Sequence, residues 1–302
     1  MRAMKRMAAG DEPRLIACDV DGTLLDPEGK LRPPVKSALA AVRSAGVRVV
    51  LATGRSAWST TEIARELNLP GPHITMNGGA YGSPVTGELA WSRPMRPELV
   101  IDGLAFARGL GSAPLLCFLH RHVVERVPGG DVVVPDFAAG PRLRQVNSLA
   151  EMAGDGPIRV YIPVPLGRHA RTVAEAKDWF GDRASIVFGD EDGIEIMAPN
   201  TNKGEALRQV TMSMGLDREE VAAIGDGPND REMLRFAGQS AALLPEPGSA
   251  ATAGLAVGEA TQVVPSSAHD GALEALRRFF PSLGLSGATV RPFRHSGRPT
   301  AA

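Results

Sequence analysis

Between residues 14 and 280 the chain alternates short apolar runs with stretches of helical spacing, and each of the first three runs ends on a polar side chain. Arg14-Leu15-Ile16-Ala17-Cys18 leads to Asp19, Val47 to Ala52 leads to Thr53, and His73 to Met76 leads to Asn77. Continuous apolar runs of this length suit strands buried on both faces. Between them, Val35, Ala38, Leu39, Val42 and Ala45 repeat with helical period. Pro33 and Pro34 suit the first turn of that helix and Gly46 its stop. Residues 58–67 read as the next helix. Strands alternating with helices predict a parallel sheet with right-handed crossovers, and ligands of such sheets bind beyond the carboxyl ends of the strands. Asp19, Thr53 and Asn77 are therefore expected along one edge.

The pattern changes over residues 84–197. Strands are expected at 85–91, 114–119, 122–127, 157–164, 185–189 and 193–197, with helices at 97–109 and 168–180. Hairpin-like pairs interrupted by two helices predict a separate α+β unit inserted into the first fold. The βα alternation then resumes, with helices at 203–214, 228–236 and 270–280 and strands at 220–224 and 240–244. Residues 1–13 and 282–302 read as disordered tails, the second rich in Gly, Ser, Pro and Arg.

Composition narrows the function classes. The chain has 302 residues, 33 Lys+Arg against 34 Asp+Glu, and a formal net charge of -1, so it lacks the basic excess of nucleic-acid binders. Hydrophobic residues make up 43% and charged residues 22%, which supports a buried core and excludes wholesale disorder. The two cysteines, Cys18 and Cys117, provide no disulfide framework, and Cys18 within its apolar run reads as a buried thiol. No apolar run reaches the 18 or so residues of a membrane span, and the N-terminus lacks the apolar stretch of a secretory peptide. These features predict a cytoplasmic protein with no membrane or nucleic-acid partner, as a monomer or weak homo-oligomer.

Three stretches carry chemistry. In Asp19-Val20-Asp21-Gly22-Thr23, an extended segment projects the two carboxylates to one side and Gly22 permits a sharp turn. The stretch is not an EF-hand loop, because the twelfth residue from Asp19 is Lys30 where a bidentate Glu is needed. Leu51-Ala52-Thr53-Gly54-Arg55 offers a hydroxyl and backbone N–H groups at a strand end, a phosphate cradle. Asn202-Lys203-Gly204 precedes Gly225-Asp226-Gly227-Pro228-Asn229-Asp230, whose two aspartates face one cation where a strand enters a helix. Gathering Asp19, Asp21, Asp226 and Asp230 in one cleft requires compensating positive charge. Lys203 and a divalent cation supply it, and oxygen ligands beside a phosphate suit Mg²⁺ rather than Zn²⁺.

These motifs, in this order and spacing, resemble those of the haloacid dehalogenase superfamily, and closely those of its Cof-type branch with an inserted α/β cap. The resemblance spans roughly residues 14–280. It implies an α/β fold: a Rossmann-like parallel-sheet core with helices on both faces (14–83 and 198–281) and an inserted cap (84–197) that sets specificity. It implies a Mg²⁺-dependent phosphatase acting on a small phosphorylated metabolite, such as a sugar phosphate or phosphorylated cofactor. Asp19 would be the nucleophile that becomes an aspartyl-phosphate, and Asp21 the acid and base. Thr53, Gly54, Lys203 and Asn229 would bind the phosphoryl group, with Asn77 as a substrate contact. Arg55 would be either a second such contact or a structural ion pair. The metal site would draw on Asp19, Asp21 (through its backbone carbonyl), Asp226 and Asp230.

Other classes compatible with the motifs are a phosphomutase or phosphotransferase using the same aspartyl-phosphate, and a non-catalytic metabolite-binding module. The sequence departs from the Cof pattern at Leu244-Pro245-Glu246-Pro247, where relatives carry Met-Gly-Asn-Ala. His120 and His122 are expected to share one face of a cap strand, His269 to start the last helix, and Trp58, Trp91 and Trp179 to pack.

Overall fold

The computed structural model describes residues 12–126, 134–188, 193–246 and 256–285. The chain runs through β1 (Leu15–Cys18), α1 (Pro33–Ser44), β2 (Arg48–Leu51), α2 (Ala57–Glu66), β3 (His73–Thr75), β4 (Ala80–Gly82) and β5 (Leu89–Ser92). It continues with α3 (Pro97–Gly109), β6 (Leu115–Cys117), β7 (His122–Glu125), β8 (Leu143–Val146), β9 (Arg159–Pro163), α4 (His169–Phe180), β10 (Ser185–Phe188) and β11 (Gly193–Met197). The last elements are α5 (Lys203–Ser213), β12 (Val221–Gly225), α6 (Arg231–Phe236), β13 (Gln239–Leu243), β14 (Gln262–Val264) and α7 (Gly271–Phe279).

The core sheet has the order β14-β13-β12-β1-β2 and is parallel throughout. Its central strands are wholly apolar because both faces are covered. Ile16 and Cys18 point into a cluster with α1, α2 and α7, while Leu15 and Ala17 point into another with α5 and α6. Burial pushes the Cys18 thiol up from its usual range, helped by the neighbouring Asp19, so it stays protonated. The Rossmann-like α/β core is thus as expected.

The inserted sheet has the order β10-β11-β9-β6-β7-β8, antiparallel except for the parallel pair β7–β8. One face packs through Val160, Ile162, Ile194 and Ile196 on α3 and α4. The other carries Leu115, Cys117, Tyr161 and Met197 toward Met76 of the core. Alternation along β9 and β11 therefore sends Arg159, Tyr161 and Glu195 to the core side.

Some expectations are corrected. β5 lies inside the segment assigned to the insert, yet it pairs with β4, in a three-stranded sheet with β3. Residues 282–285 do not behave as a tail. Ser282 donates to Glu12 from its backbone N and its hydroxyl, both at 2.7 Å, and Leu283 and Leu285 pack on the core. Residues 1–11 and 286–302, with Arg291, Arg294 and Arg298, lie outside the described residues. Trp179 is 55% exposed, although its ring meets Phe106 edge-on. His120 is exposed in the turn before β7, so it does not share a strand face with His122.

Two buried imidazoles lock the fold in its neutral form. His73 Nδ1 accepts from Leu51 N at 3.2 Å and its Nε2–H donates to Leu69 O at 3.1 Å, which ties β2 to the chain entering β3. Burial pushes its pKa down to about 4. His122 is enclosed by Trp58 and Phe137, and neither ring nitrogen has a hydrogen-bond partner among the described residues. Burial, then the Arg159 charge, pushes its pKa down to about 3. Unfolded histidine takes up a proton near pH 6.5 and these two do not, so stability is full above that pH and falls below it. Denaturant titration is expected to show a loss of roughly 2 kcal/mol per histidine between pH 7 and pH 5. His122→Phe should roughly halve the loss, leaving the part due to His73, and a parent protein equally stable at both pH values would contradict the assignment.

Candidate active site

The ends of β1, β2, β3 and β12 meet at one edge of the core sheet and are knitted together by their backbones. Thr53 N donates to Ile74 O (3.0 Å), Met76 N to Arg55 O (2.8 Å) and Asn77 N to Thr53 O (3.0 Å). Met76 and Asn77 both have positive φ, 51° each. That region is costly for a residue with a side chain and persists where surrounding contacts impose it. Here it turns Asn77 back across the edge. Its Oδ1 accepts from Asn229 Nδ2 at 3.1 Å and its Nδ2 donates to Glu195 Oε2 at 3.0 Å.

At the centre is Lys203, the first residue of α5 and 0% exposed. A cation there opposes the positive end of the helix dipole, and a buried ammonium must be paired. Lys203 Nζ donates to Asp19 Oδ1 at 2.6 Å and to Asp230 Oδ1 at 2.8 Å. Asn202 caps α5 by accepting from Glu205 N at 2.7 Å, which fixes where Lys203 begins. Asp230 Oδ2 accepts from the backbone N–H groups of Asp226 and Gly227, both at 3.0 Å. Both oxygens of Asp230 are thus engaged in holding Lys203 and the loop after β12.

Asp19, Asp226 and Asp230 each offer a carboxylate oxygen, all within 4.8 Å of one another. Such hard donors beside one ammonium fit a divalent cation of the Mg²⁺ kind. Thr23 Oγ1 donates to Asp226 Oδ1 at 2.5 Å. Gly22 has φ +75°, and a Cβ there would lie 2.5 Å from Asp226 Oδ2, so only glycine lets the loop approach that carboxylate.

The side chain of Asp21 turns away from this cluster. It forms a two-point ion pair with Arg55, Nε to Oδ2 at 2.8 Å and Nη2 to Oδ1. Its carboxylate therefore belongs to the cavity above the cluster, while its backbone lies in the loop. Arg55, for which two roles were open, forms this ion pair and also lines the cavity, so both roles stay open to it. Thr53 is buried, and its Oγ1 accepts from Arg55 N at 3.1 Å. Gly54 O accepts from Arg159 Nη1 at 3.1 Å.

Arg159 and Glu195 were absent from the sequence reading of the site. Each is a charged residue inside an otherwise buried strand, Arg-Val-Tyr-Ile-Pro and Gly-Ile-Glu-Ile-Met. A lone charge in a buried strand is the signal that would have found them. They pair with each other across β9 and β11 and reach Gly54 and Asn77 of the core. His269 belongs to the turn before α7, where its Nδ1 meets Ser266 Oγ at 2.9 Å.

A parallel sheet with helices on both faces, a lid sheet, and an aspartate–lysine cluster at the strand ends define a hydrolase core with an inserted cap. The description of the haloacid dehalogenase-like hydrolases matches residues 16–276, and the chain belongs to that family. It is similar to an HMP-PP phosphatase of Cronobacter sakazakii, 28% identical over 227 residues, covering 75% of this chain and 82% of that protein. It is also 26% identical over 253 residues to a chloroplastic endoribonuclease YBEY of Arabidopsis thaliana, covering 76% of this chain. The chain spans only 41% of that relative, so the activity in its name does not transfer. Among solved structures, a haloacid dehalogenase-like hydrolase from Bacteroides thetaiotaomicron superposes with TM-score 0.72 at 24% identity, covering 89% of this chain and all of that one. Among the described residues, no helix is long and apolar enough to cross a membrane.

Removing one partner of a buried ion pair costs about 3–5 kcal/mol. Lys203→Met leaves Asp19 and Asp230 uncompensated and is expected to destabilise the metal-stripped protein by that amount. Added Mg²⁺ should recover part of the loss, more than it stabilises the parent. Thermal melts with and without Mg²⁺ check this, and a variant as stable as the parent would contradict the charge argument.

Proposed function

We propose that the chain is a Mg²⁺-dependent phosphatase that hydrolyses a small phosphorylated metabolite through an aspartyl-phosphate on Asp19. The observation that carries the reading is the placement of Asp19. One of its oxygens is held by buried Lys203 at 2.6 Å, beside the carboxylates of Asp226 and Asp230 and beneath a cavity reached by Asp21. The names of the phosphatase relatives support the same class.

Asp19 and Asp226, with the backbone carbonyl of Asp21, would hold Mg²⁺, and Asp230 would stay outside them, bound to Lys203 and the backbone. Once bound, Mg²⁺ supplies the positive charge that lets a phosphate dianion enter a cleft of carboxylates. Lys203 pairs with Asp19 and fixes its direction, as a nucleophile requires. Asp19 forms a bond to phosphorus as the ester P–O bond breaks. Asp21, a carboxylate paired with Arg55 in this structure, takes up a proton from solvent as the substrate binds and gives it to the departing oxygen. It then takes a proton from the water that cleaves the acyl-phosphate, releasing phosphate and restoring Asp19. Thr53, the Gly54 backbone, Lys203 and Asn229 position the phosphoryl oxygens. Most acceleration of phosphoryl transfer comes from such positioning and electrostatics. The insert closes over the site and selects the leaving group. The β4–β5 pairing favours a boundary after Ser92 rather than after residue 83.

The test is phosphate release from p-nitrophenyl phosphate. Activity is expected to require Mg²⁺, to vanish with excess chelator, and to be lost in Asp19→Asn. Asp21→Asn should turn over roughly 10²–10⁴-fold more slowly, since water then lacks its base. Full activity in chelator, or an unimpaired Asp21→Asn enzyme, would overturn the mechanism.

A further inference from the structure

Above Asp21 lies a cavity of about 410 Å³, lined among others by Arg55, Phe137, Arg159, Tyr161 and Glu195. It is at the small end of the usual range for ligand sites, roughly 300–1,000 Å³. Asp21 and Arg55 belong to the core, and the other four to the insert. The space therefore opens where the part of a phosphate ester away from phosphorus must lie.

The charges of the cavity wall are matched in pairs. Arg55 is joined to Asp21 by two hydrogen bonds, and Arg159 is joined to Glu195. The second pair is deeply buried, with Arg159 and Glu195 each 3% exposed. Burying an ion pair gains little stability over apolar packing, so its presence calls for another reason. Glu195 also accepts from Asn77, and Arg159 donates to the Gly54 carbonyl. Both charges are therefore held by the core as well as by each other. Phe137 and Tyr161 add aromatic surface, their rings edge to face at 4.9 Å.

We infer that the Arg159–Glu195 pair is the specificity element of the site, selecting phosphate monoesters with a neutral, hydrogen-bonding leaving group and rejecting those that carry a second anionic group. The inference rests on the phosphatase reading above. With both guanidinium charges already matched, the wall offers donors and acceptors but no net positive charge for a second phosphate. A small neutral alcohol with hydroxyls or ring heteroatoms meets those donors and acceptors and stacks on the aromatic surface. Glu195→Gln keeps the shape and the hydrogen bond to Asn77 but leaves Arg159 unmatched, which opens a place for the second anion. Arg159→Gln does the reverse.

The experiment compares kcat/KM for glucose monophosphate and glucose bisphosphate, with pyridoxal phosphate as a heteroaromatic arm and p-nitrophenyl phosphate as reference. The parent enzyme is expected to prefer glucose monophosphate or pyridoxal phosphate over the bisphosphate by at least about tenfold. Which of the two is better tells whether the neutral group is a polyol or a heteroaromatic alcohol. Glu195→Gln should shrink the monophosphate-to-bisphosphate ratio by about tenfold or more, and Arg159→Gln should widen it. A purely structural role would lower all substrates together and leave the ratios fixed, which would overturn the inference. So would a parent enzyme that favours the bisphosphate, a result that needs no variant to fold. Release of no phosphate from any of the four compounds would instead overturn the phosphatase reading itself.

Discussion

The structure depends on one buried ammonium. Lys203 sits at the first turn of α5, where the helix dipole disfavours a cation, and it is shielded from water. The carboxylates of Asp19 and Asp230 make that position tenable. The three residues come from the end of β1, the start of α5 and the turn after β12. Their pairing therefore fixes the relative position of segments about two hundred residues apart in the chain. The same interaction orients Asp19 and, through the second oxygen of Asp230, shapes the backbone that presents Asp226. Folding and chemistry use the same charges.

A second layer joins the insert to this cluster. Asn229 reaches Asn77, Asn77 reaches Glu195, Glu195 pairs with Arg159, and Arg159 returns to Gly54 in the loop that carries Arg55 and orients Asp21. Trp58 of α2 adds an apolar contact to His122 of β7, with the Arg142 guanidinium 5.3 Å above the Trp58 ring. The lid is thus registered on the core by polar groups at the site and by aromatic groups beside it. A network of this kind is sensitive to any member left unsatisfied.

The parallel core was legible in the sequence because strands buried on both faces read as unbroken apolar runs, as at Leu15–Cys18 and Val221–Gly225. The helices were legible where caps and prolines mark them, as at Pro33 and Asn202. Asp19, Lys203, Asp226 and Asp230, which the structure brings together, were singled out because short motifs at strand ends carry a charge problem with few solutions. Strand β8, Leu-Arg-Gln-Val, was missed because it is a half-exposed edge with no apolar pattern, and β14, Gln-Val-Val, because it is a partly exposed edge strand. β5 was found as a strand near its place, but its pairing with β4 was not, since periodicity says nothing of a strand's partner. Arg159 and Glu195 escaped because a site that closes between two units takes its second wall from residues with no motif of their own.

In the proposed mechanism Asp19, and no other residue, carries the phosphoryl group. Rapid acid quench of the Asp21→Asn enzyme reacting with p-nitrophenyl phosphate, followed by mass measurement of the intact chain and of its peptides, tests it most directly. The expected result is a single added phosphoryl group per chain, located at Asp19 and absent when Asp19 is also replaced by Asn. A phosphoryl group on any other residue, or turnover with no covalent species at any quench time, would contradict it.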